Sequence, residues 1–90
     1  MKEYSDFPPS KYFMRVLKSC PKSAFLYVQI WKNKQKNIFL VKKKEIRKDY
    51  MISPTVFKNL LLPLMFLNLI HVIENDENFE IDMFGAQSNE

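Results

Sequence analysis

Ninety residues, 47% of them apolar and 27% charged, make one small domain and are too apolar for a disordered chain. The net charge of +4 hides a division: residues 10–58 hold thirteen Lys and Arg against only Glu45 and Asp49, while residues 59–90 hold six acids and no Lys or Arg. The first part is expected to attract polyanions and the second to repel them.

Cys20 is the single cysteine, so no internal disulfide is available and an apolar core must hold the fold, which favours a reducing compartment. No apolar signal-peptide core stands at the N-terminus. The most apolar run, Leu60–Ile70, contains Pro63 and Asn68 and falls short of the roughly 20 residues needed to cross a bilayer. These readings predict a cytoplasmic protein without membrane association.

Residues 1–9 end in Pro8-Pro9 and read as a flexible lead-in, residues 10–84 as the folded domain, and residues 85–90 as a frayed tail. Ser10–Cys20 fits either a helix, through Phe13, Val16 and Leu17, or a short strand over Tyr12-Phe13-Met14. Pro21 opens the first clear helix, because its missing N–H is an orphan in a first turn anyway. Ala24, Tyr27, Val28 and Trp31 then share one face, widened by Phe25, Leu26 and Ile30. A polar loop, residues 32–37, ends that helix.

Ile38-Phe39-Leu40-Val41 predicts a short strand. The basic stretch Lys42–Asp49 predicts a short helix with Ile46 facing inward. Ile52-Ser53-Pro54 breaks it; Ser53 suits an N-cap and Pro54 a first helical residue. The next helix runs to about Leu67, and Asn68 stands where a left-handed stop residue is expected. Ile70–Ile73 and Phe79–Phe84 read as strands joined by the polar loop 74–78, the second strand alternating apolar with acidic residues.

This order resembles the winged helix-turn-helix fold, an α+β class with three main helices, a short strand and a C-terminal two-stranded wing. Lys44–Leu60 is similar to that family's helix-turn-helix, and Leu64 through Asn68-Leu69-Ile70 to its usual Leu-rich close. Within the family the layout is similar to small transcriptional regulators and to the N-terminal domains of plasmid and phage replication initiators. Two features depart from the pattern. Met51 and Asn68 stand where the family prefers Gly, and the wing tip is acidic where a phosphate-gripping wing is basic.

The residue inventory argues against an enzyme. His71 is the only His and Gly85 the only Gly, so neither a Cys/His/Asp constellation, a His–Cys zinc set nor a glycine-rich phosphate loop can be assembled. No cofactor, metal or small-molecule substrate is expected. Glu74, Asp76, Glu77 and Glu80 lack the spacing and turn glycine of a calcium loop and read as a solvated hairpin. Cys20, beside Lys18 and Lys22, reads as a half-buried thiol whose pKa those lysines can lower. His71 reads as a structural residue at a strand start.

Projected at about 100° per residue, the helix after Ser53 turns Val56, Phe57, Leu60, Leu61, Leu64 and Leu67 to the core and Thr55, Lys58, Asn59, Leu62, Met65 and Phe66 outward. The resemblance implies that this outer face enters a major groove, N-terminal half first. Thr55, Lys58 and Asn59 are then the base contacts, and Lys42, Lys43, Lys44, Arg47 and Lys48 the phosphate contacts. A lone reader of this size recognises few base pairs, so a homodimer is expected. The alternative is a winged helix acting as a protein-interaction module through Leu62, Met65 and Phe66. That apolar strip is expected to be covered, either by residues 10–20 folding back or, as the favoured option, by a second chain.

Overall fold

The computed structural model describes residues 7–83. It is a small α+β fold with the order α1 (Ser10–Ser19), α2 (Pro21–Asn33), β1 (Ile38–Lys42), α3 (Lys43–Tyr50), α4 (Pro54–Phe66), β2 (Ile70–Glu74) and β3 (Asn78–Met83). The three strands form one antiparallel sheet in the order β1-β3-β2. This layout is compatible with a winged helix. Of the expected flexible lead-in over residues 1–9, residues 1–6 lie outside the described residues, as do the strand end at Phe84 and the tail over residues 85–90, while residues 7–9 are packed against α1 rather than loose.

The described residues form four helices where the sequence predicts three main ones. The ambiguous segment is helical because its apolar residues meet α2 at helical spacing: Val16 is fully buried, with Tyr12, Phe13 and Leu17 packed against the core. Phe7 reaches back onto the Phe13 ring, 5.0 Å between centroids, and Pro8 is buried. Pro21 separates α1 from α2. A residue before proline is disfavoured in helical conformation, and Cys20 is extended at φ −158°, ψ 102°.

The other boundaries follow local chemistry. Ser53 accepts a hydrogen bond from the Val56 N–H at 3.1 Å and Pro54 follows it, so α4 is capped as expected. Its far end closes with two bonds, Asn68 N–H to the Met65 carbonyl and Leu69 N–H to the Leu64 carbonyl, around Asn68 at φ 61°. This is the Schellman arrangement, and the apolar pair that accompanies it, Leu64 and Leu69, is buried. Met51 closes α3 in the same left-handed region, at φ 63°. Met51 and Asn68 thus both adopt a left-handed conformation that glycine enters freely.

The sheet's inner face carries Phe39, Val41, Ile70, Phe79, Ile81 and Met83, all buried, against Tyr27, Ile30, Ile46, Phe57, Leu61 and Leu64 from the helices. Tyr50, Phe57 and Phe79 form an aromatic row, with centroids 5.4 and 5.5 Å apart, that joins α3, α4 and β3. Ser23, also fully buried, donates its hydroxyl to the Leu60 carbonyl at 2.6 Å and ties α2 to α4. α4 continues through Pro63 to Phe66. Val56, expected in the core, is instead 43% exposed, because the buried face of α4 centres on Phe57, Leu61 and Leu64 and Val56 lies about 100° to one side of Phe57.

Candidate nucleic-acid interface

Thr55, Lys58 and Asn59 lie one turn apart on α4 and are all exposed. With Pro54, they line an open concavity of about 320 Å³ completed by Lys43 of α3, Glu74 of β2 and Phe79 of β3. The fold therefore brings the three predicted base contacts together with one of the predicted phosphate contacts.

The centre of this concavity is a charge cluster that the sequence reading misses. Glu74 Oε2 accepts from Lys43 Nζ at 2.6 Å, and Glu74 Oε1 meets Lys58 Nζ at 2.8 Å. The two lysines, Lys43 first, hold the Glu74 carboxyl below its ordinary pKa. Strand alternation is the reason Glu74 faces them. Ile70, Val72 and Glu74 share the helix-facing side of β2, and Glu74 pairs in register with Phe79. Lys43 Nζ also stands 5.2 Å above the Phe79 ring, a cation–π distance.

The remaining predicted phosphate contacts sit around this centre. Lys42 and Lys44 line, with Lys43, Asp76 and Glu77, a second concavity of about 420 Å³. Arg47 is exposed one helical turn after Lys43 on the same face of α3, and Lys44 and Lys48 lie exposed opposite buried Ile46. The hairpin tip is held close to the lysines. The Lys43 backbone N–H donates to the Glu77 carbonyl at 2.7 Å. Asn75 Oδ1 folds the loop by accepting from the backbone N–H groups of Glu77 and Asn78 at 2.9 and 2.8 Å.

Further along α4, Leu62 and Met65 are 37% and 38% exposed and Phe66 is 80% exposed. Residues 10–19 form α1, which packs on α2 and touches α4, but this leaves the strip open. The sequence reading also misses an apolar groove of about 670 Å³ between α2 and the α3–α4 turn, where Phe25 and Met51 project beside Leu26, Ile52, Val56 and Leu60. Phe25, expected to widen the core side of α2, points outward between buried Ala24 and Leu26. The helical wheel alone turns it that way.

Other expected features are quickly placed. Cys20 is a half-buried free thiol. Hydrogen bonding to Ser23 holds its pKa below the ordinary value, with a smaller contribution from Lys22. His71 is exposed on β2. Among the described residues no three His, Cys, Asp or Glu side chains converge to hold a metal ion, and no helix is long and apolar enough to cross a membrane.

No protein-family model, no curated protein and no solved structure matches this chain.

Proposed function

We propose that the chain is a winged-helix protein that binds duplex DNA sequence-specifically, as a small regulator or a replication-associated protein, and has no catalytic role. In this reading the first two turns of α4 face the major groove and Lys42, Lys43, Lys44, Arg47 and Lys48 neutralise flanking phosphates. The observation that carries it is the shared concavity of Thr55, Lys58, Asn59 and Lys43 at the Ser53-capped start of α4. Short polar side chains and an amide on the exposed N-terminal part of a helix are the groups that read base edges.

Binding to a random duplex pool at two salt concentrations tests the reading. Affinity is expected to fall steeply with salt, and replacing Lys43, Arg47 and Lys48 together by Ala lowers the slope by about 0.9 for each phosphate that is no longer neutralised. Asn59→Ala blurs the preference among sequences and leaves the slope unchanged. A wild-type chain without duplex affinity at low salt refutes the proposal.

A second reading, a protein-interaction module, is favoured by one specific observation. Leu62, Met65 and Phe66 form an exposed apolar strip on the same face of α4, beyond the polar turns. A second copy of the chain covering this strip is compatible with DNA binding by the first half of the helix. An apolar association of this kind is nearly independent of salt.

A further inference from the structure

Two ammonium groups from different elements converge on separate oxygens of one carboxylate at the centre of the concavity. This is the arrangement in which a phosphate is held by two lysines, except that the oxyanion belongs to the protein. We propose that the Lys43–Lys58 pair is a seat for one backbone phosphate of duplex DNA, and that Glu74 occupies this seat in the free protein. The inference rests on the DNA-binding reading and adds a partner group and an internal competitor to the same site.

Three features support it. The seat is open to solvent: the side chains of Lys43, Glu74 and Lys58 are 24%, 33% and 55% exposed. Its two cations are mounted on separate elements. Lys43 Nζ rests over the Phe79 ring, and Lys58 projects from a helix whose start is fixed by Ser53. Its charge calls for an anion, since two cations face one carboxylate, and that carboxylate stands at the end of β2, next to the hairpin loop. A phosphate entering the seat displaces the carboxylate without any change in the helices. Lys58 then positions the duplex backbone, and Thr55 and Asn59 are left to read bases.

Glu74→Gln tests this, because it removes the charge and keeps the shape. Wild type and variant are titrated by fluorescence anisotropy with a short random-sequence duplex at several salt concentrations, circular dichroism establishing that both are folded. Glu74→Gln is expected to bind more tightly at low salt, because no carboxylate has to leave the seat, with a slope close to that of the wild type, because the same phosphate is neutralised in both complexes. Adding Lys43→Ala and Lys58→Ala to the variant is expected to abolish that gain. Inorganic phosphate, added at constant ionic strength, is expected not to displace the duplex.

If wild type binds duplex and Glu74→Gln binds no better, the seat is refuted and the DNA reading stands. If neither binds at low salt, both fall. Displacement by inorganic phosphate at constant ionic strength overturns the duplex backbone as the occupant in favour of a free phosphate.

Discussion

Tyr27 is wholly buried, edge-on to Trp31 at 6.0 Å, and among the described residues its hydroxyl has no hydrogen-bond partner. Burial, with a smaller effect from Tyr12, pushes its pKa far above the ordinary tyrosine value, so the side chain is neutral at any physiological pH. An unpaired buried hydroxyl costs about 1–3 kcal/mol. Tyr27→Phe removes the orphan group and keeps the ring, so it is expected to stabilise the fold by about 1 kcal/mol, or about 4–8 °C in Tm for a domain of this size. A lower Tm by calorimetry would show that the hydroxyl finds a partner in solution. The helical spacing already puts Tyr27 in the core, but an unpaired hydroxyl is a three-dimensional property that no spacing reports. The same holds for Glu74. Its partners Lys43 and Lys58 lie 31 and 16 residues away in the chain, and only the alternation of Ile70, Val72 and Glu74 along β2 hints that the carboxylate turns toward the helices.

The elements are legible where their ends are written in local chemistry. Pro21, Ser53-Pro54 and Asn68 each mark a boundary that the structure places as expected, because each acts on its own backbone or that of its near neighbours. α1 is not legible. Phe13, Val16 and Leu17 suit a helix and Tyr12-Phe13-Met14 a strand, and only packing against α2 selects between them. Met51 shows the limit of turn chemistry. A non-glycine residue in the left-handed region costs about 1–2 kcal/mol, yet the α3–α4 turn imposes φ 63° on it. Its side chain is 85% exposed, so removing it sacrifices little packing. Glycine adopts this conformation freely but adds entropy to the unfolded chain, a cost of roughly 0.5–1 kcal/mol. The balance predicts that Met51→Gly stabilises the protein by about 0.5–1 kcal/mol, measurable as a higher denaturant midpoint at unchanged m-value. A lower midpoint would mean that the methionine packs in the neighbouring groove with Phe25.

At the scale of the whole molecule, the division of charge along the chain is legible but its geometry is not. Residues 59–90 carry no Lys or Arg, and they read as a repelling back to an attracting front. The hairpin instead folds Asp76 and Glu77 beside Lys42, Lys43 and Lys44, so the two charge blocks meet on one face. On α4, by contrast, polar Thr55, Lys58 and Asn59 give way along one face to apolar Leu62, Met65 and Phe66, as the spacing predicts. The less favoured of the two covers, residues 10–20 folding back over the apolar half, is not what the fold does: Phe66 remains 80% exposed. The second chain is then the cover to test. Burying a side chain such as Phe is worth about 1.5–3 kcal/mol, and a two-fold interface counts it twice, less the cost of ordering the interface. Phe66→Asp and Phe66→Lys both put a charge into such an interface and are expected to turn a dimer into a monomer by light scattering, with the circular dichroism of the wild type. They differ in one respect. Phe66 ends α4, where an acid opposes the helix dipole and a base favours it by about 0.3–1 kcal/mol. The Asp variant is therefore expected to melt below the Lys variant while both run at the same mass. If the wild type is itself a monomer at high concentration, the homodimer is ruled out, and a different protein is left as the partner of the exposed phenylalanine on the face that also carries Lys58 and Asn59.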